Sequence, residues 1–319
     1  MKSKNLLIVA LATSAATASV CSRVAQADPL IAADRDFKAG QGEYAQTWVS
    51  VHLGDSMVAG YCGFGCQQPS YADYMTYLSP ENSAMNYARV AIDGRIRAQS
   101  GFTASEIYLK TVLQHLDDVR AADIVTLDAC GNDYLISRAP KENACVPTNE
   151  IAIQKCADGV ANILDKVLEV GKPGVRVRVT NIHYPVVTKD RAKKVCDSES
   201  NFDRFLPSLV EGNWYTCEVA RQRGIPCADT FALVNAADID TNGDGIVDSE
   251  QLAWIPGESL ESYKERILSH KDLIRDPEAK ILADGSVVNI IGPDHLHLNA
   301  LGHKLVGELH QKLGWDSTK

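Results

Sequence analysis

Residues 48–60 read Trp-Val-Ser-Val-His-Leu-Gly-Asp-Ser-Met-Val-Ala-Gly. β-Branched and aromatic side chains are frequent in the first half of this stretch, which predicts a strand. The turn Gly54-Asp55-Ser56 follows directly and would place a serine hydroxyl at the carboxyl end of that strand, where ligands bind in open α/β sheets. Because a serine hydroxyl is a weak nucleophile, a catalytic role for Ser56 requires a base and oxyanion donors elsewhere in the chain.

Two later stretches contain suitable partners. Residues 121–130 predict a second strand, and Gly-Asn-Asp follows it, so the amide of Asn132 is expected at the same edge of the sheet as Ser56. Residues 292–297 read Gly-Pro-Asp-His-Leu-His and precede a predicted helix at 301–313. Asp294 and His297 are spaced i, i+3 and can face each other on one turn, whereas His295 would point elsewhere.

The remainder of the chain alternates between strand and helix patterns. Helices are predicted at 71–78, 104–116, 151–170 and 202–223, and further strands at 85–92, 175–182 and 225–234. This alternation predicts an α/β fold, a three-layer α/β/α sandwich around a parallel, flavodoxin-like sheet of about five strands. No linker or repeat divides residues 28–319, so a single domain is expected.

The three blocks together resemble the SGNH, or GDSL, hydrolase superfamily. The resemblance implies that Ser56 is the nucleophile, that His297 is the general base and then acid, and that Asp294 orients His297. Coincidence is the alternative, since each motif alone is short, but their order and their placement after predicted strands favour the catalytic interpretation.

The same resemblance implies an oxyanion hole made of the Ser56 backbone N–H, the Gly101 backbone N–H and the Asn132 amide. Gly101 is taken from the block Gln-Ser-Gly-Phe-Thr-Ala at 99–104, and Gly94 is the alternative. The chain departs from the family pattern at Met57, where leucine is usual, and at Cys130, where glycine is usual.

The implied function is that of a secreted serine esterase or lipase that hydrolyses carboxylic esters through an acyl-enzyme, with no cofactor for catalysis. The expected partners are small-molecule, lipid or polysaccharide esters. A carbohydrate O-acetyl esterase of the same fold and a non-catalytic, calcium-dependent binding module are the alternatives, and only the latter would show no ester turnover. Four aromatic residues are either pocket or packing residues: Tyr61, Phe64, Tyr134 and Tyr184.

The N-terminus predicts export. Lys2 and Lys4 precede a short apolar run, and an Ala-x-Ala site predicts cleavage of a signal peptide, residues 1–27, after Ala27. The protein is therefore expected to be secreted or periplasmic; Cys21 raises lipidation as an alternative, but Val20 stands where a small residue is needed. No later segment is apolar enough to cross a membrane, and the net charge of −9 argues against nucleic acid as a partner.

Eight cysteines follow the predicted signal peptide, and an even number in an exported chain predicts disulfides. Local pairs Cys62–Cys66 and Cys130–Cys145 are predicted. The alternative, a zinc site, lacks the paired spacing of zinc ribbons. The cysteines are Cys62, Cys66, Cys130, Cys145, Cys156, Cys196, Cys217 and Cys227.

An acidic stretch at 238–251 is similar to an EF-hand-like calcium loop inserted before the Asp-x-x-His block. Glu250 lies one place before the usual bidentate glutamate, where Gln251 stands, and a solvated turn is the alternative. Any bound Ca²⁺ would be structural. The other predicted ligands are the side chains of Asp240, Asn242, Asp244 and Asp248 and the carbonyl of Ile246.

Overall fold

The computed structural model describes residues 34–64, 66–79, 81–138, 149–194 and 199–318. The predicted signal peptide, Cys145 and Cys196 lie outside these residues. Within them, no helix is both long enough and apolar enough to cross a membrane.

A six-stranded sheet forms the centre of the molecule, with the strand order β1-β5-β2-β6-β7-β8. Five strands run parallel and β1 pairs antiparallel with β5 at one edge. The parallel strands therefore have the flavodoxin-like order that the sequence predicts, and β1 is an addition to it. The strands are β1 (Arg35–Ala39), β2 (Thr47–Gly54), β5 (Ala91–Ala98), β6 (Ile124–Asp128), β7 (Arg176–Thr180) and β8 (Cys227–Ala228). Two small hairpins add β3 (Tyr61–Gly63) with β4 (Cys66–Gln67), and β9 (Lys280–Ile281) with β10 (Val287–Val288).

Helices connect the strands and cover both faces. They are α1 (Ser56–Ala59), α2 (Tyr71–Asp73), α3 (Ala84–Ala88), α4 (Ala104–Glu106), α5 (Leu116–Ala121), α6 (Gly131–Arg138), α7 (Asn149–Val170), α8 (Val187–Ala192), α9 (Asn201–Arg221), α10 (Thr230–Asn235), α11 (Asp248–Leu252), α12 (Leu260–Ser269) and α13 (Ala300–Lys312). Helices α2 and α4 continue as π-helical turns, Tyr74–Leu78 and Ile107–Val112, and two 3₁₀ turns lie at Lys271–Leu273 and Pro277–Ala279.

Two hydrophobic cores result, one on each face of the sheet. Alternate residues of the strands, such as Val51 and Val125, point towards α4, α7, α9 and α12, and their neighbours point towards α2 and α13. The second face is partly polar: His52 is fully buried, and its Nδ1 lies 2.8 Å from the hydroxyl of Thr126. This three-layer arrangement confirms the predicted fold class.

The predicted strand at 85–92 is wrong. Residues 84–88 form α3, which begins where the side chain of Ser83 accepts a hydrogen bond from the Asn86 N–H, and ends at Arg89 in the left-handed region. The strand starts only at Ala91. Serine is a favoured N-cap residue, so Ser83 is a physical reason for a helix to begin here.

Three disulfides join described residues, and they test two predictions. Cys62–Cys66 is confirmed, and Cys217 pairs with Cys227. The predicted pair Cys130–Cys145 is wrong, because Cys130 is bonded to Cys156. Cys156 lies on the buried face of α7, which packs against α6 directly after Cys130, so a distant cysteine is brought close by helix packing.

Candidate active site

The serine turn is built by close packing of two strands. Gly54 ends β2, and a Cβ atom there would lie 2.5 Å from the carbonyl oxygen of Asp128 on β6, so only glycine fits. Asp55 caps the following helix, because its Oδ1 accepts a hydrogen bond of 3.1 Å from the Met57 N–H. Ser56 is the first residue of α1, where backbone N–H groups have no partner within the helix.

Asp294 holds the second part of the site together. Its Oδ1 accepts hydrogen bonds from the backbone N–H groups of Leu296 at 3.0 Å and His297 at 3.1 Å. Its Oδ2 lies 2.6 Å from Nδ1 of His297. Burial raises the pKa of Asp294, but the hydrogen bonds and charge of His297 outweigh it, so the pKa lies below its ordinary value.

The structure brings Ser56, His297 and Asp294 into one hydrogen-bonded chain. Nε2 of His297 lies 2.8 Å from Oγ of Ser56, and both side chains are buried. With Nδ1–H donated to Asp294, Nε2 is the ring nitrogen free to accept the serine proton. His295 has a positive φ, is exposed and pairs with Glu278, so it takes no part in this chain.

Hydrogen bonds join the three segments that carry the predicted oxyanion residues at this edge of the sheet. The turn that carries Gly101, with φ of +87°, is tied to the serine turn by a 3.2 Å hydrogen bond from the Gln99 N–H to the Gly54 carbonyl. Nδ2 of Asn132 donates to the carbonyl of Phe102 and to Oδ2 of Asp55, both at 2.9 Å. The Asn132 amide is therefore beside Ser56, but both its hydrogens are engaged in the resting state.

Gly94, the alternative to Gly101, lies elsewhere. It faces Phe37 of β1 in the middle of β5, and a Cβ atom on Gly94 would collide with the Phe37 ring. This glycine is required for packing of the edge strand.

Three buried carboxyl groups surround the oxyanion side, and the sequence reasoning missed them. Burial raises the pKa of Asp55 to about 6 and that of Asp133 to about 6. Burial and the neighbouring Asp55 raise the pKa of Asp128 well above its ordinary value. In the sequence, Asp55 directly follows the end of β2, Asp128 ends β6, and Asp133 lies on α6, which follows β6.

A cleft opens beside Ser56, with about 660 Å³ of space that includes its mouth. Its floor contains polar groups such as Asn181 and Thr230, and its walls are mainly apolar. Of the aromatic residues named from the sequence, Tyr134 lines the cleft, Tyr184 is buried in the core and Phe64 is 82% exposed. The apolar wall residues are Met57, Leu135, Ile182, Pro185, Phe205, Leu209 and Leu296.

The predicted calcium loop is not assembled as a metal site. Asp240 accepts hydrogen bonds from the N–H groups of Gly243 and Gly245. Asp248 turns inward, is fully buried and accepts hydrogen bonds from Thr241, while Glu250 is exposed. Among the described residues there is no group of three or more histidine, cysteine or acidic side chains that could hold a metal ion.

The remaining ligands of the prediction are engaged in the same way. Asn242 and Asp244 bond to each other, and Asp244 also accepts from the Ile246 N–H and from Gln251. These contacts describe a hydrogen-bonded acidic turn, so the structure does not support the predicted calcium.

Two histidines of helix α13 face the interior of the protein. His303 and His310 are both fully buried, and His310 stacks on Tyr71 with ring centroids 5.0 Å apart. The polar face of the sheet explains this: α13 packs on the side that carries His52 and Thr126, so its inward positions are not restricted to aliphatic residues.

Comparison with known proteins agrees with this architecture. A family model described as GDSL-like lipase/acylhydrolase matches residues 51–309, and the chain therefore belongs to this family. Membership makes the protein a carboxylic ester hydrolase by class. The comparison with curated proteins gave no match.

Solved structures of low sequence identity are similar to this chain over most of its length. A lipase from a goat rumen metagenome superimposes with a TM-score of 0.54 and 17% identity, covering 85% of this chain and 100% of the lipase. An acetylxylan esterase from Geobacillus stearothermophilus has a TM-score of 0.46 and 13% identity, covering 85% and 97% of the two chains. A lipase/acylhydrolase from Enterococcus faecalis has a TM-score of 0.45 and 13% identity, covering 83% and 94%.

Proposed function

We propose that the protein is a serine esterase or lipase in which Ser56, His297 and Asp294 form the catalytic triad. The observation that carries the proposal is the continuous chain of hydrogen bonds, 2.8 Å from Ser56 to His297 and 2.6 Å from His297 to Asp294. A hydroxyl, an imidazole and a carboxylate in this order are the groups that acyl transfer requires.

In the proposed reaction, Nε2 of His297 removes the proton of Ser56 as the hydroxyl oxygen attacks the ester carbonyl. Asp294 keeps the proton on Nδ1 and stabilises the imidazolium ion that forms. His297 then protonates the leaving alcohol, and water, activated by the same ring, hydrolyses the acyl-enzyme. No metal or organic cofactor is required for these steps.

The proposed oxyanion hole consists of the backbone N–H groups of Ser56 and Gly101 and the amide of Asn132. The Ser56 N–H lies in the first turn of α1, where the helix dipole also favours negative charge. Asn132 must release one of its present acceptors to reach the oxyanion. Removing Asn132 is therefore expected to slow acylation less than removing a donor that already points at the oxyanion position.

The apolar walls of the cleft favour esters with an aliphatic or aromatic acyl group. Leu135, Phe205 and Leu209 line the cleft together with Ser56, so the acyl chain of a bound ester would contact them. Burial of each methylene contributes about 0.8 kcal/mol, so a longer chain gains affinity as long as it fits. This favours a lipase or carboxylesterase over the O-acetyl esterase alternative.

Export of the mature protein, residues 28–319, is part of the proposal. Three disulfides among the described residues support an oxidising compartment, since such bonds are rare in the cytosol. N-terminal sequencing of protein recovered outside the cytoplasm should begin at Asp28. A start at Met1 would contradict cleavage.

The decisive experiment measures hydrolysis of p-nitrophenyl esters from acetyl to palmitoyl by the wild type and by Ser56→Ala. The wild type should turn over these esters and be labelled by a fluorophosphonate, while the variant should do neither. Preference for medium or long chains would support lipase or carboxylesterase activity, and preference for acetyl the O-acetyl esterase. Absence of both turnover and labelling in folded wild type would refute the proposal and favour a binding module.

A further inference from the structure

The hairpin of β3 and β4 lies between the two halves of the proposed triad. It follows α1 directly, its strands are antiparallel, and the disulfide Cys62–Cys66 joins them. We call residues 61–64 and 66–68, with this disulfide, the clamp hairpin. Its contacts reach both the helix that starts at Ser56 and the turn that carries Asp294 and His297.

On the nucleophile side, the clamp hairpin donates hydrogen bonds to carbonyl groups at the end of α1. The side chain of Gln67 donates to the carbonyl of Ala59 at 3.2 Å, and the N–H of Gln68 donates to the carbonyl of Gly60 at 2.9 Å. Gly60 has a positive φ, and a Cβ atom there would collide with the Gln68 carbonyl. The short helix that presents Ser56 is thus held by the strand on the far side of the disulfide.

On the acid–base side, the contacts are equally close. A Cβ atom on Gly63 would lie 2.6 Å from the Asp294 carboxyl group, and one on Gly292 would lie 2.7 Å from the Cys62 carbonyl. The ring of Tyr61 meets the ring of His297 edge-on, with centroids 4.7 Å apart. Tyr61 and Gly63, the two neighbours of Cys62, therefore touch the base and the acid.

A further hydrogen bond closes this arrangement. The side chain of Gln68 donates at 2.8 Å to the carbonyl of Leu298, the residue after His297. The clamp hairpin consequently bridges two parts of the chain that are distant in sequence, and the proposed proton transfer requires these parts to stay 2.8 Å apart.

We propose that the disulfide-closed clamp hairpin positions the Asp294–His297 turn against Ser56, so that opening Cys62–Cys66 lowers turnover. This inference rests on the serine esterase function proposed above. Tyr61 and Gly63 act as positioning residues because they touch the base and the acid. The two cysteines act as positioning residues because their disulfide closes the hairpin that carries Tyr61 and Gly63. A displacement of about 1 Å between reacting groups can cost about 100-fold in rate.

The disulfide is also open to an external reductant. Cys66 is an exposed residue, whereas Cys130, Cys156 and Cys217 are fully buried. A thiolate of a dithiol reductant attacks the Cys66 sulfur, the S–S bond breaks and Cys62 leaves as a thiol. The second thiol of the reductant then releases Cys66 as a thiol and closes the reductant's own disulfide, so two electrons and two protons reach the protein.

The test compares the double variant Cys62→Ala/Cys66→Ala with Cys217→Ala/Cys227→Ala, which removes a disulfide between α9 and β8. For the clamp variant we expect kcat for a p-nitrophenyl ester to fall about 10–100-fold with KM changed less than about twofold. The control variant should keep the kcat of the wild type. Phe64→Ala, an exposed position in the same hairpin, should also keep it.

Reduction gives a second comparison. Dithiothreitol should lower the kcat of the wild type and of the control variant, reoxidation should restore it, and the clamp variant should not respond. A folded clamp variant with the kcat of the wild type would overturn the inference, even if its melting temperature were lower, because the disulfide would then act on stability alone.

A crystal structure of the clamp variant separates this inference from the proposed function. A longer distance between Ser56 Oγ and His297 Nε2 than the present 2.8 Å supports positioning, whether or not the wild type hydrolyses esters. An unchanged distance overturns it. Inactive wild type together with a lengthened contact would refute the esterase proposal only.

Discussion

Asn132→Ala tests how the oxyanion side of the cleft works. Its amide hydrogens are donated to the Phe102 carbonyl and to the Asp55 carboxyl group, each at 2.9 Å. To stabilise an oxyanion, the amide must exchange one of these acceptors for the substrate oxygen. The free energy by which Asn132 stabilises the transition state is therefore the difference between two hydrogen bonds. It is smaller than the contribution of a donor that has no acceptor in the resting state.

The size of that difference follows from the acceptors. A hydrogen bond to a neutral acceptor contributes about 0.5–1.5 kcal/mol net, and one to a charged acceptor about 1.5–3 kcal/mol. Replacing the Phe102 carbonyl by an oxyanion should thus gain about 1–1.5 kcal/mol, or about tenfold in kcat. The family pattern alone, with a free donor, leads to about 3–4 kcal/mol.

The assay is steady-state hydrolysis of an activated p-nitrophenyl ester by the wild type and Asn132→Ala, with thermal unfolding as the control for folding. We expect kcat to fall about tenfold, KM to change little, and stability to fall by about 1–3 kcal/mol because Asp55 loses a buried donor. A 10²–10³-fold fall, roughly that of a free oxyanion donor, would refute the exchange argument. No fall in kcat would remove Asn132 from the oxyanion hole.

Three further outcomes are expected. Asp294→Asn should reduce kcat about 10⁴-fold, because an amide facing Nδ1 stabilises the tautomer that cannot accept the serine proton; a fall below about tenfold in a folded variant would contradict this. Burial lowers the pKa of His52, His303 and His310 to about 3, so the stability that their neutral forms support should be complete above the ordinary value of 6.5 and lost as the pH falls towards 3. Melting temperatures measured across this range check the sign, and constant stability would contradict it. Chelation by EGTA should leave the melting temperature unchanged, and a rise on adding Ca²⁺ would restore the calcium hypothesis.

Strands β2, β6 and β7 could be predicted because β-branched residues are frequent in them and they alternate with predicted helices. Residues 48–53 lie on β2, and the predicted strands at 121–130 and 175–182 contain β6 and β7. The predicted strands at 85–92 and 225–234 instead overlap helices α3 and α10. Strand β1 could not be found in this way, since Arg35–Ala39 alternates charged and apolar residues over only five positions and joins the sheet antiparallel. Its place depends on Gly94, whose lack of a side chain admits Phe37.

The candidate triad followed from local motifs, but its supports did not. Asp294 and His297 lie three residues apart, and their mutual orientation is a property of one turn. The clamp hairpin, by contrast, contacts residues more than 200 positions away, and Gln68–Leu298 is one such contact. The spacing of residues in the sequence does not predict these contacts, because long-range packing depends on the whole fold.

The clustering of carboxyl groups at the oxyanion side needs a physical reason, since negative charge opposes an oxyanion. The two carboxyl oxygens of Asp55 position both sides of the site: one caps the helix that starts at Ser56, and the other accepts a hydrogen bond from Asn132. Burial and the neighbouring Asp55 raise the pKa of Asp128 well above its ordinary value, which favours the neutral form of this second carboxyl group. Asp133 instead accepts a hydrogen bond from the Ala104 N–H at 2.9 Å, which anchors the segment after Gly101. The acids therefore position the donors of the proposed oxyanion hole, and the raised pKa of Asp128 reduces the cost of their charge.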